Sequence, residues 1–202
     1  EALPKNAVVT DVGSVKAPIL SLWNKLHPHF VPSHPMAGTN QAGIETGMRN
    51  LFKNRTWVVT PDKNTDPQAL EKVHEIALEL GSQWLVTEAE MHDQAVALIS
   101  HLPVLISAAL LKTLGNETNS SLFALSKSLA STGFADTSRV GGGNPTLGTA
   151  MMTNNTSAIL KALKTYRMNL DKLEEDIINN NWTQLHKDLK QTQALRPSFL
   201  KE

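Results

Sequence analysis

Two residues with catalytic potential each follow a predicted β-strand. Ser14 comes after the apolar run of residues 7–12, and His34 comes after the run that begins at Phe30. Side chains just beyond the carboxyl ends of strands face ligands in open α/β sheets, and histidine suits acid–base catalysis near neutral pH. Spacing alone leaves ordinary roles open, for Ser14 as a turn residue that caps the next helix and for His34 as a loop histidine.

A predicted long helix carries further polar groups. Ser100 and Val104 lie seven and eleven residues after Asp93 and therefore share a face with it, whereas His101 lies about 100° round from Ser100. These residues form either a ligand-facing stripe or tolerated polar positions of a core helix. His92 and His101 are predicted to lie on opposite faces, and the pattern His-Glu-x-x-His is absent, so we expect no metal site.

Arg139 lies in a glycine-rich segment, residues 133–149, that we predict to be a loop. A guanidinium on such a loop is suited to bind a carboxylate through two hydrogen bonds, although a solvated surface arginine has the same pattern. The run of three glycines at 141–143 follows no predicted strand, and Gly-x-Gly-x-x-Gly does not occur. The segment is therefore not a dinucleotide-binding fingerprint.

Composition excludes several classes of protein. The chain has 19 basic and 19 acidic residues and no cysteine. A net charge of zero argues against a nucleic-acid partner and against binding to an acidic membrane surface, and the absence of cysteine excludes disulfides and thiolate sites. The apolar run of residues 95–111 is shorter than the roughly 20 residues that span a bilayer, so we predict a buried helix there and no membrane partner.

The elements that position these residues change in character near residue 88. Residues 1–88 alternate between predicted strands (7–12, 30–33, 55–60 and 84–87) and helices (17–26 and a helix that Asp66 caps and Pro67 begins). This alternation is typical of an open α/β sheet, and the continuous apolar runs suit parallel strands.

Residues 89–202 are predicted to be all-helical. The helices are expected at 88–114, with a kink at Pro103, and at 120–132, 156–178 and 182–194. These helices carry more apolar surface than a lone bundle of this size buries, which favours a homodimer. The fold class is thus α/β plus all-α, with domains at 1–88 and 89–202.

Several strings taken together resemble the prephenate/arogenate dehydrogenase family. They occur in the family's order and cover residues 1 to about 150 well. The strings are Thr10-Asp11-Val12-Gly13-Ser14-Val15-Lys16, Ser33-His34-Pro35-Met36-Ala37-Gly38, Val58-Val59-Thr60-Pro61, His92-Asp93 with Ser100-His101-Leu102-Pro103, and Gly133-Phe134 through Arg139.

The resemblance implies the C-terminal part of a Rossmann-like nucleotide-binding domain followed by a helical dimerisation domain. The first β-α-β units and their glycine loop are expected to precede Glu1. The implied reaction is the oxidative decarboxylation of a cyclohexadienol, with hydride transfer to NADP or NAD, in a cytoplasmic enzyme of tyrosine biosynthesis.

The resemblance also implies roles for individual residues. His34 would accept the hydroxyl proton or a hydrogen bond from it, and Ser14 would orient His34 and the nicotinamide. Arg139 would hold a substrate carboxylate. The remaining expectations are that His101, Ser100 and Thr39 line the substrate pocket and that Asp11, Gly13 and Ser14 bind the cofactor.

One departure from the family bears on the substrate. Prephenate-preferring members commonly carry a second histidine where this chain has Val104, which favours arogenate and, with it, NADP. Prephenate dehydrogenase and a non-catalytic helical dimerisation fragment remain as alternatives. A different helical-domain dehydrogenase of hydroxy acids would need a lysine on the first long interdomain helix, and residues 88–111 contain none.

Overall fold

The computed structural model describes residues 3–38 and 43–200 and contains two small sheets in its first part. In one, β1 (Val9–Thr10) runs parallel to β2 (Phe30–Val31). In the other, β4 (Thr56–Val59) pairs in parallel with β5 (Gln83–Val86) and antiparallel with β3 (Ser33–Pro35). The parallel pairing is therefore confirmed for two strand pairs but not for β3 with β4, between which the described residues form only a 3₁₀ turn (Ile44–Thr46).

The core of this part forms where α2 (Pro67–Glu79) covers the strands. As predicted, Asp66 caps α2 by accepting a hydrogen bond from the Gln68 amide at 2.8 Å. Gly81 follows the helix with a φ of 74°, a conformation that glycine adopts without strain. The buried apolar cluster consists of Val31, Trp57, Val59, Ala69, Val73 and Ala77.

The predicted long helix is continuous but changes its pitch in the middle. It comprises α3 (Ala89–Val96), a π-helical turn (Ala97–His101) and α4 (Leu102–Gly115). Pro103 lacks the N–H that would bond the carbonyl of Ile99, so the turn before it widens. The extra residue in that turn changes the angle around the helix axis between the side chains before it and those after it. Both His92 and His101 are buried as a result. The prediction that these two histidines lie on opposite faces is therefore wrong.

This helix is only partly buried. Leu98 and Ile99 are 55% and 58% exposed, so the prediction of a buried helix is confirmed only in part for the single chain. By length and composition alone, residues 89–115 would also suffice to cross a membrane, but the side that is buried carries His92, Asp93 and His101.

The glycine-rich segment of residues 133–149 is helical, and the prediction of a loop is wrong. After α5 (Ser120–Leu129), the chain forms α6 (Thr132–Ser138), a 3₁₀ turn (Arg139–Gly142) and α7 (Pro145–Asn154). Asn144 caps α7 by accepting hydrogen bonds from the amides of Thr146 and Leu147 at 2.9 and 3.2 Å. The start signal Asn-Pro and packing on α4 outweigh the helix cost of the glycines.

The chain divides into two compact units, Glu1–Ile159 and Leu160–Glu202. The first contains both sheets, α1 (Ala17–Trp23) and the helices through α7. The second contains most of α8 (Thr156–Ile178), then α9 (Trp182–Leu195), separated by a turn in which Asn180 has a φ of 51°. The domain boundary at residue 88 marks the change from sheet to helices and stays a prediction.

Candidate functional site

A buried lysine fixes the segment that leads from β1 into α1. Lys16 is 0% exposed, and its ammonium group forms an ion pair with Asp11 and donates to the carbonyl of Ser33 at 2.6 Å. The Asp11 carboxylate also accepts the amides of Gly13 and Ser33, each at 2.9 Å. Burial lowers the pKa of Lys16, and the charge of Asp11 opposes that shift. The network joins Gly13 to the strand that ends in His34.

A second carboxylate, the buried Asp93, ties the helix α3 to the beginning of α1. Asp93 accepts the amide of Lys16 at 2.7 Å through Oδ1 and the amide of Ala17 at 2.9 Å through Oδ2. Its Oδ1 also lies 2.8 Å from His92 Nδ1. Burial opposes ionisation of Asp93, but the hydrogen bonds from His92 and the two amides outweigh it and lower the pKa.

His34 lies at the end of this chain of contacts. Its Nδ1 is 2.9 Å from His92 Nε2, and the two rings meet nearly edge to face at a centroid distance of 5.1 Å. Burial, followed by the electrostatic effects of His92, Lys16 and His101, lowers the pKa of His34 to about 3. His34 is therefore neutral at physiological pH, and a neutral imidazole can accept a proton.

His101 presents a polar atom that no described residue satisfies. Its ring is 1% exposed, and its Nδ1 lies 3.3 Å from the Asn155 amide nitrogen, which also donates to the carbonyl of Asp93 at 2.7 Å. Because the Asn155 nitrogen is a donor, His101 Nδ1 is the acceptor, and its Nε2 carries the proton. The Nε2–H has no partner among the described residues, which suits a bound oxygen atom.

A mainly apolar cleft opens beside Ser14. It lies between the start of α1 and the helix α7, and Ser14 is half-buried at its edge. The lining residues are Gly13, Ser14, Val15, Pro18, Ile19, Leu147, Ala150, Met151 and Asn154.

The other predicted site residues do not belong to the network of hydrogen bonds around His34, except for Asp11. Arg139 begins the 3₁₀ turn and is exposed, and Ser100 is half-buried on the π turn. Thr39 lies outside the described residues. Asp11, predicted to bind the cofactor, uses its carboxylate to hold Gly13, Lys16 and Ser33.

Sequence reasoning missed several members of the network. Lys16 appeared only within a matching string, Asp93 was noted as a polar position on the long helix, and Asn155 carried no signal because its partners lie 54 and 62 residues away. The adjacent pair His92-Asp93 was a usable signal, since a carboxylate beside a histidine often orients it. Its partner His34, 58 residues away, became evident only in the fold.

Comparisons with protein families match nearly the whole chain. The family model described as "Prephenate dehydrogenase, nucleotide-binding domain" matches residues 1–86. The model described as "Prephenate dehydrogenase, dimerization domain" matches residues 88–191.

Individual relatives agree with these matches. A cyclohexadienyl dehydrogenase of Zymomonas mobilis is 32% identical over 96% of this chain and 67% of its own length. The crystal structure of Synechocystis arogenate dehydrogenase is 45% identical, with a TM-score of 0.87 over 98% of this chain and 71% of that one. The structure of Aquifex aeolicus prephenate dehydrogenase with hydroxyphenyl propionate and NAD+ is 30% identical, with a TM-score of 0.90 over 98% and 69%.

Proposed function

The chain belongs to the prephenate dehydrogenase family of oxidoreductases, and on that premise we propose that it oxidatively decarboxylates arogenate to tyrosine with NADP as hydride acceptor. The observation that carries the proposal is the environment of His34. Burial keeps the His34 imidazole neutral at physiological pH, and its contact with His92, which lies against Asp93, holds the ring in place. An oriented neutral imidazole is what removal of a hydroxyl proton requires.

The proton can be followed through the reaction. His34 accepts it from the ring hydroxyl as that carbon becomes a carbonyl. When the ring carboxylate departs as carbon dioxide, its bonding electrons aromatise the ring and leave a phenolate, to which His34 returns the proton. The histidine is thereby regenerated, and no further acid or base is needed.

Other residues of the site would bind the cofactor and the substrate and hold them in position. Ser14 and Gly13 would hold the nicotinamide at the cleft, with Asp11 acting through the Gly13 backbone. NADP, when bound, supplies the two-electron acceptor that takes hydride from the ring carbon bearing the hydroxyl. The Arg139 guanidinium would bind a substrate carboxylate.

Substrate contacts are also proposed for the helix that carries the π turn. The free Nε2–H of His101 would donate to a substrate oxygen. Ser100, half-buried on the same turn, and Thr39 would complete the wall of the pocket.

The choice of arogenate over prephenate rests on two supports. Val104 offers no hydrogen bond to the keto acid of prephenate, and the relative with 45% identity is an arogenate dehydrogenase. NADP is proposed because it accompanies arogenate in enzymes that this sequence resembles.

A homodimer through the helical domain is part of the same proposal, together with a cytoplasmic location. The match to a dimerization domain and the exposed side chains of Leu98 and Ile99 support it. A partner helix covering each of these two side chains would gain about 1.5–3 kcal/mol.

Steady-state turnover by the full-length protein tests the proposal. We expect arogenate with NADP to have the highest kcat/KM of the four combinations of arogenate or prephenate with NADP or NAD. His34→Asn should lower kcat by roughly 10²–10⁴-fold while the dissociation constant of NADP stays within about twofold.

His186→Gln is the matched control, because His186 is an exposed histidine on α9, and it should behave as the wild type. Absence of turnover with all four combinations would refute the assigned reaction. A higher kcat/KM for prephenate would refute only the choice of substrate.

A further inference from the structure

The protonation of the histidine pair follows from the carboxylate that holds it. Asp93 receives backbone N–H groups on both oxygens, from Lys16 at 2.7 Å and from Ala17 at 2.9 Å. Burial opposes ionisation, but these hydrogen bonds lower the pKa of Asp93 and keep it ionised, with no hydrogen to donate. The contact of 2.8 Å between Asp93 Oδ1 and His92 Nδ1 is therefore a hydrogen bond that His92 donates.

The same reasoning extends to His34. In the form of His92 that has its single proton on Nδ1, the Nε2 atom has a lone pair and lies 2.9 Å from His34 Nδ1. Two facing lone pairs repel, so His34 must carry its own proton on Nδ1 and donate it to His92. The remaining nitrogen of His34, Nε2, then has a free lone pair.

We propose that His92, held by Asp93, is a positioning residue that fixes His34 in the tautomer protonated on Nδ1 and thereby makes Nε2 the atom that accepts the hydroxyl proton of the substrate. The inference rests on the proposed function only for the identity of that proton. It assigns to the pair His92–Asp93 the orienting role that the sequence resemblance gave to Ser14.

Burial makes the tautomer selective. His92 is 4% exposed and Asp93 is 5% exposed, so water cannot supply a substitute partner to either. With a single proton on the His92 ring, the opposite tautomer of His34 would require that proton to move to Nε2. Asp93 would then face a lone pair on His92 Nδ1 inside the protein, where an unpaired charge is costly.

Nitrogen-15 NMR of the histidine rings in the full-length protein tests the tautomer directly. The spectrum of His34→Asn identifies the His34 signals by their loss. At neutral pH we expect His34 to be protonated on Nδ1. Protonation of His34 on Nε2 in the wild-type protein would overturn the proposal, whatever the enzyme's activity.

Asp93→Ala is the sharper variant. An alanine removes the acceptor of the His92 Nδ1–H, so nothing fixes the proton of His92 on Nδ1 and both tautomers of the pair become accessible. We expect the NMR signature of His34 to show both tautomers and kcat to fall by roughly 10²–10⁴-fold. KM should change by less than about threefold. A His34 that stays wholly protonated on Nδ1 in a folded Asp93→Ala protein would overturn the proposal.

Two variants of His92 decide the matter if Asp93→Ala does not fold. His92→Leu removes the acceptor, and kcat should fall by about 10²-fold because the ring of His34 loses its orientation. His92→Gln retains an amide oxygen that accepts from His34 Nδ1 and should recover at least tenfold of that loss. Equal activity of the Leu and Gln variants would show that His92 only fills space.

The failure of this inference can be distinguished from failure of the proposed function. If the wild-type protein turns over neither substrate, the proposed function fails, while the tautomer is still read by NMR. If the wild-type protein is active but His34 is protonated on Nε2, the function stands and this inference fails. His186→Gln should leave both readouts unchanged.

Discussion

A single methyl group at Gly141 should separate the 3₁₀ turn that carries Arg139 from the helix α4. Gly141 lies against this helix, and its amide donates to the Ser107 hydroxyl at 2.7 Å. A Cβ on Gly141 would lie 2.4 Å from the amide nitrogen of Ala108. An ordinary contact at this position begins at 3.4 Å, so the turn and the helix must move apart by about 1 Å.

The energetic cost follows from this displacement. The hydrogen bond from Gly141 would stretch beyond the range of 2.7–3.2 Å for N–H···O bonds and its loss costs about 1 kcal/mol. The Ser107 hydroxyl, 1% exposed, would be left without that donor. Overpacking adds about 1–3 kcal/mol. We therefore expect Gly141→Ala to lower the free energy of unfolding by about 2–4 kcal/mol.

Gly142 offers a matched control in the same turn. A Cβ there meets no atom within 4 Å, so Gly142→Ala should be neutral or slightly stabilising, by about 0.4–1 kcal/mol at most, through the entropy of the unfolded chain. Urea unfolding of the two variants gives the comparison. KM for the substrate should rise in Gly141→Ala alone, because Arg139 moves with the turn. Unfolding free energies within about 0.5 kcal/mol of each other would refute the steric argument.

Three further predictions follow from the network and the helix caps. The pKa of His34 is lowered from 6.5 to about 3, so between these pH values the unfolded chain binds a proton that the folded chain does not. The free energy of unfolding should therefore decrease as the pH is lowered through this window. Between pH 7 and pH 5, urea unfolding should show that the wild type loses about 2 kcal/mol more of this free energy than His34→Gln does. Lys16→Met leaves Asp11 without its buried partner and should cost about 3–5 kcal/mol; an NMR titration should show the pKa of His34 raised, because a nearby positive charge has gone. Asn144→Ala removes the cap of α7 and should cost about 1 kcal/mol in thermal unfolding, whereas Asn144→Ser should cost only a few tenths.

Local signals predicted the elements that depend on near neighbours. The cap at Asp66, the helix over residues 156–178 and the break at residues 179–181 agree with the structure to within a residue or two. The segment 133–149 failed because its glycines lower helix propensity, while the packing of its 3₁₀ turn on α4 comes from residues more than 30 positions earlier.

The pairing of β3 with β4 failed for a related reason. Strand direction depends on how the intervening residues return to the sheet, and the apolar pattern of a buried strand is the same for either direction.

The sequence by itself determined the family, most of the elements outside residues 133–149 and the residue types of the site, because motifs and periodicity are properties of neighbouring positions. Only the tertiary structure decided which of these residues touch. The π turn before Pro103 rotates His101 onto the buried side of the helix with His92, and Asp93 reaches the start of α1 across 77 positions. The low pKa of His34 is a consequence of burial and of charges brought in from distant segments. Its contact with His92 joins two positions that lie 58 residues apart. No local pattern encodes them, since desolvation depends on what surrounds a group in space.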